Sequence, residues 1–318
     1  SAIRHGAVTS RRGCLMGLAD ILAPRYSRRR LWLKIARTAV RSPKSALARL
    51  SAINFHNAAV CSELQIHCPV CGSHGMMDYD FPDVAVRRAH GIGLLRETLC
   101  CKSCGATMRD RQMALGLIRV VSARTGRAPG DLGKLRSDPA PGMRILDTDS
   151  FSPINRVLRG MAGYAHSQYR PELADQARLD DGSLNVDLLA MPFARDSLDV
   201  IMSSDVMEHV AEDEKAHRDI FRCLAPGVVY VFTIPFDPGL AATRRLTLPS
   251  GASGRLFILD HHVHGDPHSS DGIIAHRIYG QNLLETMRNI GFEIEYLEIH
   301  EPARGVFQGD LFLARKNS

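Results

Sequence analysis

The 318-residue chain has no apolar run that approaches about 18 residues, the length that a membrane-spanning helix requires. Acidic residues are nearly missing from its first 60 positions, which hold twelve Arg and Lys and one Asp. Its apolar fraction of 45% is nevertheless ordinary for a soluble globular protein. The sequence therefore predicts a cytoplasmic protein with one large α/β domain and a smaller module, and with its basic charge confined to an N-terminal arm.

This basic arm, residues 1–60, carries a net charge of +11, and since the whole chain carries +6 the remainder carries −5. Within the arm Leu31, Trp32 and Ile35 fall on one face of a basic helix. Such a helix can bind anionic lipid or nucleic-acid phosphate, or its apolar stripe can pack on the main domain or on a second copy of the chain. We expect packing or a homodimer first, peripheral membrane contact second and nucleic acid least.

Two short cysteine motifs follow the arm and give the strongest local signal. Thiolates at positions i and i+3 can converge on one ion, and the glycine after each pair permits the tight turn. Four thiolates complete the tetrahedral shell of Zn²⁺, so such a site is structural. Disulfides are the alternative, which a cytosolic chain disfavours. The motifs predict a zinc ribbon with a linking helix over residues 61–124, and their ligands are Cys68, Cys71, Cys101 and Cys104.

The rest of the chain alternates between strand and helix. Residues 125–142 are rich in Gly, Pro and charge and predict a linker. From residue 143 to residue 318 the alternation predicts an α/β fold with a doubly wound parallel sheet, closed by an antiparallel pair of strands. Ligands of such sheets bind at the carboxyl ends of the strands, so we expect functional residues beside the turn at 203–209. The predicted strands are 144–147, 164–168, 185–188, 198–202, 228–234, 293–299 and 310–314.

Several segments of this region resemble the class I methyltransferases that use S-adenosylmethionine. Residues 185–201 are similar to the family's run of an acidic residue, Pro-Phe and Ser-Phe-Asp, and residues 204–210 (SDVMEHV) to its vLEHv signature. Residues 221–227 (FRCLAPG) resemble its R-x-L-k-P-G-G turn. The paired CxxCG motifs followed by Arg-x-Arg also resemble the zinc-ribbon members found with polysaccharide and secondary-metabolite genes. The resemblance implies a Rossmann-like seven-stranded methyltransferase sheet with a small zinc-ribbon module and a basic helical arm.

The resemblance also implies which residues bind the methyl donor. The adenine is expected at Asp187 and Leu188, and the transfer point beside Ser204 and Asp205. For both acids the alternative is that the carboxylate caps the element that follows. The ribose is expected near Gln168. The turn after the first strand supplies the remaining predicted contacts, which are Asp147, Thr148, Asp149 and Ser150.

Two of these positions differ from the family pattern. The turn at residues 146–151 contains no glycine, whereas most relatives have a glycine-rich turn there. Gln168 stands where an acid is expected, and an amide binds a ribose hydroxyl more weakly than a carboxylate does. A non-catalytic scaffold that binds a partner therefore remains an alternative.

A histidine-rich loop at residues 260–276 is expected over the donor site, where this family places substrate residues. His264 is the predicted base, with His262 and Asp266 beside it, because a histidine oriented by an acid can take a proton from a hydroxyl. These residues predict O-methylation with no metal in the chemistry, and the resemblance implies that the acceptor is a sugar or a small secondary metabolite. A loop histidine without a catalytic role is the alternative for each. RNA methylation is a further alternative, which the net acidic catalytic domain disfavours.

Overall fold

The computed structural model describes residues 64–79, 95–140, 142–250, 255–258, 263–264 and 273–317. Contacts divide the chain into two units, Ser1–Ser51 and Ala52–Ser318, and every described residue belongs to the second unit. The helix predicted for the basic arm lies outside the described residues. Within the described ranges, no helix has the length and apolarity needed to cross a membrane. The predicted domain boundaries stay predictions.

The first part of the second unit is a small antiparallel sheet with the order β1-β2-β3, which we call the ribbon. The first cysteine motif forms the turn between β1 and β2, and the second motif begins at the end of β3. A four-residue helix, α1, precedes β3. The bounds are β1 Gln65–His67, β2 His74–Tyr79, α1 Leu95–Thr98 and β3 Leu99–Cys101.

A long helix, α2 (Met108–Thr125), joins this sheet to the rest of the unit. It begins at a capping box, in which Thr107 and Asp110 each accept a hydrogen bond from the other's backbone amide. Its predicted stripe is buried at Ala114 and Leu117, and these side chains pack into one core with residues of the ribbon and of the large sheet. One of the two apolar cores of the described residues therefore spans both sheets.

The large sheet has seven strands in the order β15-β16-β8-β7-β4-β5-β6. β4 to β8 run parallel, while β16 lies antiparallel between β8 and β15. This confirms the predicted Rossmann-like seven-stranded sheet with a terminal antiparallel pair. The bounds are β4 Ile145–Asp147, β5 Tyr164–Gln168, β6 Leu184–Asn185, β7 Leu198–Ser204, β8 Leu224–Thr233, β15 Phe292–Glu301 and β16 Val306–Lys316.

Helices accompany the strands, and their starts follow from local sequence. α4 begins after Ser152, whose hydroxyl accepts from the Asn155 amide, and has Pro153 at its first position. α6 ends at Gly291, which takes the left-handed conformation. The bounds are α3 Leu132–Ser137, α4 Pro153–Leu158, α5 Asp213–Cys223 and α6 Asn282–Ile290.

Three sequence expectations differ from the structure. β6 has only two residues where a strand at 185–188 was expected, because Asp187 turns the chain by accepting from the Leu189 amide. The expected break at Pro226 and Gly227 lies inside β8, where the pairing with β7 shifts register. The expected polar loop after β8 contains short strand pairs, which are β9 Arg244–Arg245 with β14 Arg277–Ile278, β10 Thr247–Ser250 with β11 Arg255–Ile258, and β12 Val263–His264 with β13 Ile273–Ile274.

Candidate active site

The carboxyl ends of β4, β5, β7 and β8 meet at one edge of the large sheet. Asp147 ends β4 and pairs in register with Met202 of β7. Ser204 ends β7 opposite Thr233, which ends β8. Gln168 ends β5. Because neighbouring parallel strands end together, the sheet brings the predicted donor residues to a common edge, as expected for this fold class.

The turn after β4 contains no glycine and is held by hydrogen bonds to aspartate carboxylates. The Asp149 amide donates to Asp147 Oδ1 (3.0 Å), and Asp149 Oδ1 accepts from the amides of Phe151 (2.8 Å) and Ser152 (3.1 Å). Ser150 Oγ lies 3.0 Å from His166 Nδ1 and donates to the Ser167 carbonyl (3.0 Å). No residue from 147 to 152 has a positive φ. The missing glycine is therefore explained, since the turn never enters the left-handed region that favours glycine.

Asp147 is 3% exposed and accepts a hydrogen bond from the Tyr164 hydroxyl (2.8 Å). Burial, together with the charge of the neighbouring Asp149, raises the pKa of Asp147 from its ordinary 3.8 to about 8. A carboxyl group in this state is largely protonated at neutral pH. It can then donate a hydrogen bond as well as accept one.

This pKa shift gives a testable pH dependence. Ionising Asp147 is disfavoured in the folded chain, so its contribution to stability is full below about pH 4 and is lost as the pH rises to about 8. The Asp147→Asn variant cannot ionise, and it should lose less stability than the parent between pH 5 and pH 8. At about 1.4 kcal/mol per pKa unit, the difference should reach a few kcal/mol. Urea denaturation across this range measures it.

The matched control is Asp138→Asn, because the Asp138 side chain is 74% exposed. This control should follow the parent at every pH. Equal pH dependence of the parent and Asp147→Asn would contradict the prediction.

Asp205 is paired with two arginines, one from α1 and one from the first turn of α2. Arg96 donates to both carboxylate oxygens, with Nη2 2.8 Å from Oδ1, and Arg109 Nε lies 3.6 Å from Oδ2. Thr233 Oγ1 also donates to Asp205 (3.0 Å). Although burial opposes ionisation, Arg96 and Arg109 hold the pKa of Asp205 well below its ordinary value. The carboxylate does not cap a helix, because the one-turn 3₁₀ helix at Met207–His209 has no side-chain cap.

Arg109 also reaches Ser204, the last residue of β7. Its Nη1 donates to Ser204 Oγ (2.8 Å), while its Nε donates to Glu97 (2.9 Å). Glu97 in turn accepts from Arg96 (3.1 Å), so four charged side chains form one network at the sheet edge. The sequence signals Arg109 through the Arg-x-Arg pattern after the second cysteine motif. No sequence pattern marks Arg96 or Glu97.

The residues predicted to bind the ribose and the adenine of the methyl donor lie at the end of β5 and after β6. Gln168 donates from Nε2 to Ser183 Oγ (2.8 Å) and to Asp181 Oδ2 (3.3 Å). A carboxylate therefore lies beside Gln168, although it comes from a turn 13 residues further along the chain. Leu188 is 8% exposed and packs in the core. Asp187 accepts from the Leu189 amide (2.8 Å) in a turn that no helix follows directly, so it does not cap a helix, and its role toward the donor stays a prediction.

Of the three predicted catalytic residues, His262 and Asp266 lie outside the described residues. His264 lies in β12, opposite Ile273. The described end of this loop, at residues 274–277, is bonded to residues 209–213, which follow β7. His209 Nδ1 lies 2.9 Å from the Ile274 carbonyl, and the buried Arg277 donates to the carbonyls of residues 210 and 211 and pairs with Asp213 (2.7 Å). The roles of His262, His264 and Asp266 stay predictions.

The four predicted metal ligands form one cluster in which all four sulfurs lie within 4.8 Å of one another. Cys68 Sγ is 3.9 Å from Cys104 Sγ, and Cys71 Sγ is 3.8 Å from Cys101 Sγ. A disulfide requires about 2.05 Å, whereas four sulfurs about 2.3 Å from a central zinc stand about 3.8 Å apart. The glycines that follow the motifs, at 72 and 105, have φ of 73° and 75°, as the tight turns require. The geometry suits a tetrahedral ion and excludes cystine.

Part of this sheet is similar to known proteins. The family described as a methyltransferase domain matches residues 156–232. A curated relative, the demethylmenaquinone methyltransferase of Thermus thermophilus, is 28% identical over 161 residues, which are 49% of this chain and 62% of the relative. The chain thus spans less than two thirds of that relative. Residues 156–232 of this chain are thus similar to a methyltransferase domain.

Two solved structures are similar to the chain at lower identity. An S-adenosylmethionine-dependent methyltransferase from Mesorhizobium loti is 21% identical, with a TM-score of 0.34, over 57% of this chain and 94% of that one. The glycopeptide N-methyltransferase MtfA, solved with S-adenosylmethionine, is 12% identical, with a TM-score of 0.36, over 58% and 92%.

Proposed function

We propose that this chain transfers a methyl group from S-adenosylmethionine to a hydroxyl of a sugar or a small secondary metabolite. The observation that carries the proposal is the convergence of Asp147, Ser204 and Asp205 at the carboxyl edge of a sheet whose matched segment is a methyltransferase domain. The cytoplasm is the proposed location, since metal-binding thiolates persist in a reducing compartment.

The residues at this edge fit the donor. Thr148 Oγ1 and Gln168 Oε1 are buried and have no hydrogen-bond partner among the described residues. Buried polar atoms are nearly always paired, so a polar ligand at this edge would satisfy them. When bound, S-adenosylmethionine supplies an electrophilic methyl group. In the proposal Asp187 binds its adenine, Gln168 with the adjacent Asp181 binds its ribose, and Thr148 lies at its amino-acid end.

The chain's own residues would supply the remaining chemistry. His264, oriented by Asp266, would take the proton from the acceptor hydroxyl, with His262 nearby. The network of Arg96, Glu97, Arg109 and Asp205 would close the edge beside Ser204 to water.

The proposal includes one structural Zn²⁺ bound by Cys68, Cys71, Cys101 and Cys104. The sulfur separations of 3.8 and 3.9 Å support it, since they match the edge of a zinc tetrathiolate. Four protein ligands leave no open position, so the ion would hold the fold and take no part in the transfer.

Calorimetric titration with S-adenosylmethionine and S-adenosylhomocysteine tests the donor site. We expect both to bind. The Asp187→Ala variant should bind about 10- to 100-fold more weakly, which corresponds to the loss of one hydrogen bond to a charged group. Asp138→Asn, far out on the surface, should bind as the parent does. No binding of either ligand at millimolar concentration would refute the enzyme proposal.

That negative result would favour a second candidate, a non-catalytic scaffold with a methyltransferase fold. The structure offers one observation for it. The amides of Asp149, Phe151 and Ser152 are bonded to the turn's own carboxylates, and Asp205 is bonded to arginines. Groups that bind one another in this way must exchange partners before they can bind a ligand.

A further inference from the structure

Arg111, in the first turn of α2, is a fully buried arginine. Its Nη1 donates to the Ala106 carbonyl (2.6 Å), and its Nη2 donates to the carbonyls of Leu99 (2.9 Å) and Gly305 (2.8 Å). Its Nε also donates to the Gly305 carbonyl (3.1 Å). Every acceptor is a neutral carbonyl oxygen.

The other deeply placed arginines are paired with carboxylates. Arg277 pairs with Asp213, and Arg96 pairs with Asp205. In the ion pairs of the described ranges, Arg111 has no carboxylate. Its neighbour Asp110 is bonded to Thr107 in the capping box. A buried charge without a counter-charge is strongly destabilising, so a negative group is expected near Arg111.

Two of the three carbonyls that Arg111 binds lie at the two ends of the second cysteine motif. Leu99 comes two residues before Cys101, and Ala106 comes two residues after Cys104. The Ala106 carbonyl also accepts from the Cys101 amide (2.7 Å), which closes the motif around the guanidinium. Burial lowers the pKa of Arg111, and negative charge on Cys68, Cys100, Cys101 and Asp110 counteracts this effect. Because Asp110 is already bonded within the capping box, the cysteine motif whose carbonyls Arg111 binds is the remaining source of compensating charge.

Neutral thiols cannot supply that charge, but a metal site can. One divalent ion bound by four thiolates carries a net charge of −2. We propose that Arg111 is the internal counter-charge of a metal tetrathiolate at Cys68, Cys71, Cys101 and Cys104. The inference rests on the zinc site of the proposed function and goes beyond it, because it assigns to Arg111 a role in metal affinity.

The same side chain ties the metal site to the far end of the sequence. Gly305 ends the 3₁₀ turn at Pro302–Arg304, between β15 and β16, and has a φ of 71°. A Cβ at this position would stand 2.9 Å from Arg111 Nε. Because Arg111 binds the Gly305 carbonyl, this turn is fixed by a residue whose charge the metal site compensates. Metal binding and the position of the C-terminal hairpin are thereby linked.

The experiment compares substitutions that separate charge from hydrogen bonding. Arg111→Gln keeps a donor but removes the charge, and Arg111→Lys keeps the charge but cannot span three carbonyls. Zinc affinity is measured on each purified full chain by competition with a chromophoric chelator, and folding by circular dichroism. Arg119→Met is the matched control, because Arg119 lies on the same helix with a 56% exposed side chain.

We expect Arg111→Gln to bind zinc about 10- to 100-fold more weakly, as is typical when a residue that supports metal ligands is lost. Arg111→Lys should keep most of the affinity, and Arg119→Met all of it. Equal affinity of the parent and Arg111→Gln would overturn the inference and leave the methyltransferase proposal intact. Equal loss in the Gln and Lys variants would overturn it in favour of a hydrogen-bonding role. A parent chain that binds no zinc would overturn both the metal site and the inference, whatever the donor titration shows.

Discussion

Cys104→Ser is expected to abolish zinc binding and to unfold the ribbon. In small zinc domains the free energy of metal binding, about 10–16 kcal/mol, is largely the free energy of folding. The ribbon places Cys68, Val70 and Leu99 in the core that it shares with α2 and the large sheet, so its loss should spread into that core. Elemental analysis should fall from about one zinc per chain to none, and urea denaturation should show a loss of several kcal/mol.

Cys223→Ser is the control for this prediction. Cys223 is a buried free cysteine at the end of α5, away from the four-sulfur cluster, so the variant should retain zinc. A parent protein that is folded and metal-free would contradict the prediction. The same result would refute the zinc site.

The second large effect is expected from Asp205→Asn. Removing this charge leaves Arg96 and Arg109 with Glu97 as their remaining partner in the network, and breaking a buried ion pair costs about 3–5 kcal/mol. The lowered pKa of Asp205 means that its stabilising charge is present at neutral pH and is lost only as the solution becomes strongly acidic. Urea denaturation at pH 7 should therefore show the full cost.

Two further variants make this second prediction specific. Asp138→Asn removes an exposed ion pair with Arg127 and should cost less than about 1 kcal/mol. The double variant Arg96→Met with Asp205→Asn should be more stable than Asp205→Asn alone, because it no longer buries the unpaired charge of Arg96. If Asp205→Asn costs no more than Asp138→Asn, the network does not stabilise the edge.

The fold could be predicted because its signals are local. The apolar runs of β7 and β8 each lie within a few residues, and so does each cysteine motif. Apolar pattern and motif spacing were therefore sufficient to predict these elements. β6 is shorter than predicted, because an aspartate such as Asp187 is compatible both with the end of a strand and with a turn. In the structure its carboxylate binds the Leu189 amide and ends the strand.

The site was less predictable because its contacts join distant parts of the chain. Asp205 was identified from the signature, but Arg96 lies 109 residues earlier in the sequence and no pattern links the two. Asp181 lies beside Gln168 only because a turn folds back before β6. In the same way, the turn at 147–152 could be recognised as lacking glycine, but not as held by its own aspartates.

The first turn of α2 has a consequence for how such a protein can be divided or rebuilt. Arg109 reaches the carboxyl edge, Arg111 reaches the ribbon and the C-terminal turn, and the buried Gln112 donates to the Asp310 carbonyl on β16 (2.8 Å). Each residue along a helix turns by about 100°, so inserting or deleting one residue here would misdirect all three side chains together. If the ribbon is exchanged for that of another protein, the exchanged segment should therefore include this turn. The helical register between the turn and the rest of α2 must stay unchanged.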